Sequence, residues 1–261
     1  MDLFALVQNQ VGLFLLIFVR VSGIFTAAPV FGGRNVPILI KAGMSLIFAF
    51  VMLPVLSQTI TPIPGSFLLY IFLVLKEYLV GLIIGFTASL LFTAVQMAGF
   101  FIDTQIGFGM VNVLDPMFGQ QIPLIGNFKY ILALMVFLAT NGHHMLIWGL
   151  MGSFEVVPVT HVLVHATLPA LFVDLISGIF IIAFKLSLPV VVTLLLMDVG
   201  MGILARTMPQ MNIFIVGMPG KILVGLFILS IAMPFYITFI EVLFNGIYAN
   251  INQVLQQFTP V

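Results

Sequence analysis

Apolar residues run along this chain in long blocks, cut by short clusters of Pro, Gly and polar residues. The first block covers Leu3 to Val30 and stops at the turn signal Phe31-Gly32-Gly33-Arg34-Asn35-Val36-Pro37. A second runs from Ile38 to Leu56 and ends in a polar, Pro-rich loop, residues 57–66. A third runs from Phe67 to Ile106, and a mixed stretch, Gly107 to Asn127, follows it. Then come Phe128 to Met151, a loop holding Glu155, Pro158, His161 and His165, and a fifth block from Leu168 to Leu204. Arg206-Thr207-Met208-Pro209-Gln210 breaks that block, and the last runs from Met211 to about Tyr248 before a polar tail.

Two lengths recur. Blocks of about 20 residues fit a helix crossing about 30 Å of hydrocarbon. Three others run to about 35–40 residues, roughly 50–60 Å as one helix, too long for a single crossing and short for two. These predict either bent helical hairpins, with kinks or tight turns at Gly81, Gly85, Pro189, Pro219 and Pro234, or long helices packed on protein rather than lipid. The fold class is all-α, with about six to eight apolar helical segments.

Composition makes the setting a membrane. Of 261 residues 62% are apolar and only 6% charged, with 8 basic and 8 acidic side chains and no cysteine. So few polar groups do not cover a water-facing globule of this size, which excludes a soluble enzyme, a disordered chain and a disulfide scaffold. Zero net charge leaves no footprint for nucleic acid. Met1-Asp2-Leu3 lacks the basic region of a signal peptide, so the amino terminus is expected to be retained; Asp2 does not accept a myristoyl group.

The few charges fall inside the blocks. Arg20 lies in the first, Lys76, Glu77 and Asp103 in the third, Asp174, Lys185 and Asp198 in the fifth, and Lys221 and Glu241 in the last. A charge facing lipid costs roughly 2.5–3.5 kcal/mol, so such residues pair, face a bundle interior or line a water path. Paired structural charges within or between subunits are the main reading. An ion or proton relay and snorkelling from helix ends are the alternatives.

Catalytic patterns are missing. There is no His-Glu-x-x-His, no completed nucleophile elbow after Gly43-Met44-Ser45 and no phosphate loop. His161 and His165 have metal-ligand spacing on a helix, but between Pro158 and Pro169 they read as polar loop residues. His143-His144, after Asn141-Gly142, reads as a solvated turn. Gly81-x-x-x-Gly85 permits close helix approach, yet one such match is expected by chance among 23 glycines. No metal or cofactor is expected.

The stretch Gly107 to Asn127 is too irregular for a helix and too apolar for an aqueous loop. Irregular backbone at membrane depth persists where protein or a water-filled cavity satisfies it. Gly107, Gly109 and Gly119 permit tight turns, and Met110, Met117 and Phe118 are deformable or bulky apolar groups able to exclude water from a passage. A pore plug and a loop lying on the interface or on a neighbouring subunit both remain open.

Two stretches carry a resemblance. Arg20-Val21-Ser22-Gly23-Ile24-Phe25, Ala28-Pro29-Val30-Phe31, Val36-Pro37 and Lys41 form the first. Residues 198–214, which contain Ala205-Arg206-Thr207-Met208-Pro209-Gln210-Met211-Asn212, followed by Gly217, Pro219 and Lys221, form the second, and Asn141-Gly142-His143-His144 also fits. Together they resemble the FliR/SctT family of export-gate subunits of flagellar and related type III secretion systems, over essentially the whole chain. The Met-Pro-Gln-Met-Asn wording is closer to the flagellar branch. Gly220 departs from the pattern, where a bulkier apolar residue is expected.

The resemblance implies a non-enzymatic subunit of one integral-membrane domain, residues 1–261, made of an N-terminal helical part (1–127) and a C-terminal part (128–261). It implies a conical helical hetero-oligomer with the P and Q gate subunits, beside the B-type and A-type export membrane proteins and the basal-body ring, in the bacterial inner membrane. Unfolded export substrates cross through the channel, driven by the proton-motive force and a cytoplasmic ATPase. It also implies that residues 107–123 plug the channel, with Gly107, Phe108, Gly109, Met110, Val111, Val113, Leu114, Met117 and Phe118 as plug residues. Arg20, Lys76, Glu77, Asp103, Asp174, Lys185, Asp198, Arg206, Lys221 and Glu241 are expected as buried or assembly charges. The alternative function is a secondary transporter of a small solute, which needs interrupted helices around a midplane site.

Overall fold

The computed structural model describes residues 3–33, 36–57, 66–108, 123–163, 165–210 and 212–259. The helices are α1 (Leu3–Ala27), α2 (Ile38–Leu56), α3 (Phe67–Ile106), α4 (Leu124–Ala139), α5 (Gly142–Val156), α6 (Leu168–Thr207), α7 (Ile213–Asn245) and α8 (Ile247–Leu255), with a closing 3-10 turn at Gln256–Phe258. No strand occurs among the described residues. Among the described residues five helices are long and apolar enough to cross a membrane, or six spans if α4 and α5 are one. That is the lower end of the range the pattern predicts.

The long blocks are continuous helices. α3 and α6 have 40 residues each and α7 has 33. The chain runs through Gly81, Gly85, Pro189, Pro219 and Pro234 without a break. The sharp bend lies elsewhere. The block from Phe128 to Met151 divides at Thr140–Asn141, where Asn141 takes a left-handed conformation (φ 58°) and the helix breaks. His143 and His144 therefore stand in the first turn of α5, ring centroids 4.2 Å apart, rather than in a solvated turn. Leu124 to Asn127, expected to be irregular, already belong to α4. The tail read as polar is α8, an amphipathic helix burying Ile247, Ile251, Val254 and Leu255.

The chain forms two compact units. The first comprises Met1–Leu90, Asn141–Asp174 and Asn245–Val261; the second comprises Leu91–Thr140 and Leu175–Phe244. In the first, α1 and the start of α3 meet backbone to backbone. A Cβ on Gly23 falls 2.6 Å from the Tyr78 carbonyl oxygen, one on Gly85 falls 2.8 Å from the Ile24 carbonyl oxygen, and one on Gly81 overlaps the Arg20 carbonyl. The glycine spacing put down to chance is thus the contact surface of this crossing. In the second unit Phe92, Tyr130, Phe137 and Phe244 form an aromatic cluster with centroids 5.0–5.9 Å apart.

Close helix approach leaves Arg20 wholly inside, where it needs an anion. Its Nε donates to Glu77 Oε2 at 2.5 Å, and both side chains are fully buried. Arg20 Nη1 donates to the carbonyls of Ser153 and Val157, each at 2.9 Å, and the guanidinium lies 4.3 Å from the centre of the Phe154 ring. Glu77 Oε1 accepts the Thr160 N–H at 3.1 Å. One buried pair therefore ties α1, α3, α5 and the loop after α5 into one body.

Two stability predictions follow from this packing. Gly81→Ala forces backbone apart and costs at least about 1–3 kcal/mol, whereas Gly43→Ala, which faces open space, is neutral or slightly stabilising; thermal unfolding of the detergent-extracted protein separates them. Arg20→Met or Glu77→Gln alone leaves a buried charge unpaired and costs about 3–5 kcal/mol. The double variant Arg20→Met/Glu77→Leu recovers much of the loss in the same assay; equal and additive losses contradict the pairing.

Candidate functional site

The second unit holds both ends of the segment read as a plug. Met110, Val111, Val113, Leu114, Met117 and Phe118, with Gly109, lie outside the described residues; Gly107 and Phe108 lie within them. α3 stops because Gly107 adopts φ 101°, a conformation glycine takes readily. The Gly107 and Phe108 N–H groups both donate to the Asp103 carbonyl at 3.1 Å. Phe108 then packs on a buried cluster that includes Ile102, Ile106, Ile125, Val190, Leu194 and Leu229.

The far end of the segment returns to the same residue. α4 starts after Pro123, whose side chain caps nothing. The first N–H groups of a helix need acceptors, the more so away from water. Asp103 supplies them from α3. Its Oδ1 accepts the Ile125 N–H and its Oδ2 the Gly126 N–H, both at 2.9 Å. These are the bonds that an N-capping side chain makes, contributed from another helix, and the positive helix end favours the anion. Gly99 and Gly126 permit the approach, since a Cβ on Gly99 overlaps Gly126. Lys129, one turn further along α4, is buried with Nζ 4.0 Å from the Tyr236 ring centre.

Beside the start of the segment stands a second charged group. Lys221 Nζ donates to Asp198 Oδ1 at 2.6 Å and Oδ2 at 2.8 Å, and Gln105 Nε2 donates to Asp198 Oδ2 at 3.0 Å. This pair joins α3, α6 and α7 and is partly open, with side chains 18% and 38% exposed. Gly220 adjoins it, and its missing side chain makes room for Met197, whose Cε lies 2.9 Å from the Cβ position.

The remaining expected charges are scattered. Arg20 and Glu77 pair with one another in the first unit. Lys76 donates to the Val162 carbonyl at 3.2 Å. Asp174, Lys185, Arg206 and Glu241 are exposed. His165 Nε2 lies 2.6 Å from the Thr259 carbonyl oxygen, and among the described residues no cluster of His, Asp and Glu could hold a metal ion. The sequence reading did not single out Lys129 or Tyr236. One signal was available for the Asp103 arrangement: an acid in the last turn of a helix opposes the macrodipole, and Pro123 begins a helix with no capping side chain of its own.

Comparison with known proteins places these features in a family. The family model described as bacterial export proteins, family 1, matches residues 11–247. Flagellar biosynthetic protein FliR of Bacillus subtilis (strain 168) is 42% identical over 84% of this chain and 85% of its own length. The protein of the same name from Escherichia coli (strain K12) is 30% identical over 91% and 90%, and that from Aquifex aeolicus (strain VF5) is 28% identical over 84% of each. The match takes in the Arg20–Glu77 lock, both ends of the Gly107 segment and the Asp198–Lys221 pair. This chain of long apolar helices belongs to the bacterial export proteins, family 1.

Proposed function

We propose that the chain is a non-enzymatic membrane subunit of the flagellar protein-export apparatus and forms part of the wall of its export channel. The family relation, with FliR relatives matched over most of their length, is the observation that carries this reading. Neither the family nor these relatives favours a small-solute transporter.

Surface chemistry supports a place among other subunits. Only 17% of the residues in the apolar window of α2 are buried within the chain, 22% in that of α3 and 33% in that of α6. Helices of 40 residues are about 60 Å long, twice the hydrocarbon thickness, so lipid alone does not cover their exposed sides. Lys185, Arg206 and Glu241 stand exposed on α6 and α7, where lipid contact is costly. P and Q gate subunits, with the B-type and A-type export proteins and the basal-body ring around them, supply the covering surface and the opposite charges. The location is the bacterial inner membrane, at the flagellar basal body. Unfolded export substrates are the cargo.

Residues 107–123 act in this reading as the plug of the resting channel, sealing it against ions with Gly107 to Phe118. Support comes from their apolar, glycine-rich composition and from the anchoring of the segment's two ends on one helix turn.

Two experiments test this function. Removing the chain stops secretion of flagellar export substrates, and restoring it returns secretion; undiminished secretion contradicts the assignment. Deleting Phe108 to Phe118 gives an assembled complex that leaks ions, read by a membrane-potential dye with native gels for assembly. A tight membrane around an intact deleted complex contradicts the plug.

A further inference from the structure

We propose that Asp103 is the positioning residue that closes the base of the plug segment, joining its two ends through one buried aspartate. This rests on the plug reading above and deepens it.

The geometry is specific to this residue. Its backbone carbonyl accepts the N–H groups of Gly107 and Phe108, where the segment leaves α3. Its carboxylate accepts the N–H groups of Ile125 and Gly126, where the chain re-enters helix at α4. Four N–H groups from both sides of the segment thus converge on one residue that is 4% exposed. Nothing about α3 itself calls for an acid there, because the carbonyl end of a helix repels an anion. The carboxylate gains its stabilisation from the two N–H groups at the start of α4, and so holds α4 against α3. Gly99 and Gly126 fix the distance at which this is possible. The two described ends of the segment are therefore held together at the buried Asp103. Arg20–Glu77, by contrast, lies in the other unit and touches neither end of the segment.

Asn is the informative replacement. It keeps the size of Asp103, but it offers one oxygen acceptor in place of two and turns an NH2 group toward an N–H donor. The exposed positions Thr104 and Leu124 flank the junction, and the chain has no cysteine, so Thr104→Cys and Leu124→Cys carry a clean spin-label pair. The distance between the labels is measured in the purified export complex, and ion leak is measured in cells. The backgrounds are the parent, Asp103→Asn, Asp103→Asn/Lys129→Met and the deletion of Phe108 to Phe118. The double variant removes the orphaned lysine charge, which separates loss of the clamp from loss of a buried charge.

The expected result is a narrow label distance in the parent and a broadened one in both Asp103 variants. With the complex still recovered, leak rises roughly ten-fold or more, as loss of two charge-assisted hydrogen bonds predicts. Tight membranes and a narrow distance in the Asp103 variants, beside a leaking deletion, overturn the clamp and leave the plug standing. A tight deletion overturns the plug itself, and the label distance then still decides whether Asp103 holds the base. Failure of both Asp103 variants to assemble assigns the residue to folding and overturns the proposal.

Discussion

A charge carried on an apolar helix has to be neutralised before that helix can leave water, and each charge in this chain constrains the structure accordingly. Sixteen formal charges in 261 residues are few enough for each to be followed individually. Arg20 and Glu77 cancel in the interior of the first unit, and in doing so fix three helices and a loop around one point. Asp103 finds the open end of α4. Asp198 and Lys221 pair at the edge of the second unit. Breaking such pairs is costly because the partner left behind stays buried, so these contacts specify one arrangement of helices that apolar packing alone does not define.

What remains unsatisfied points outward. The apolar sides of α2, α3 and α6 are largely exposed, and Lys185, Arg206 and Glu241 stand on the surface of the later helices. Arg20, Glu77 and Asp103 find their main partners within the chain, while the long helices lie largely uncovered. The two ends of the glycine-rich segment between α3 and α4 meet at Asp103 within the second unit.

Much of the helical layout was legible in the pattern of apolar blocks. The bounds of α2 and α3 coincide with blocks two and three, because Pro and Gly clusters punctuate both. The division of the fourth block at Asn141 was not legible, since a single left-handed residue inside an apolar run carries little compositional signal. Nor was the role of Gly81-x-x-x-Gly85: the spacing is common among glycines, and only the position of α1 gives it meaning. At the candidate site, Gly107 was readable as a helix stop. The bonds from Asp103 to Ile125 and Gly126 span 22 and 23 residues, a separation at which periodicity says nothing. The early start of α4 follows from that same remote cap, which the local sequence lacks.

The central claim is that this subunit pairs the buried charges Arg20, Glu77 and Asp103 within itself and leaves long apolar helix faces uncovered. Native mass spectrometry of the chain extracted gently from membranes tests it most directly. The account predicts release only within a heteromeric particle at fixed subunit ratio, with the chain unfolding or aggregating when expressed without the other export subunits. A stable, folded, solitary chain carrying nothing but lipid would contradict it.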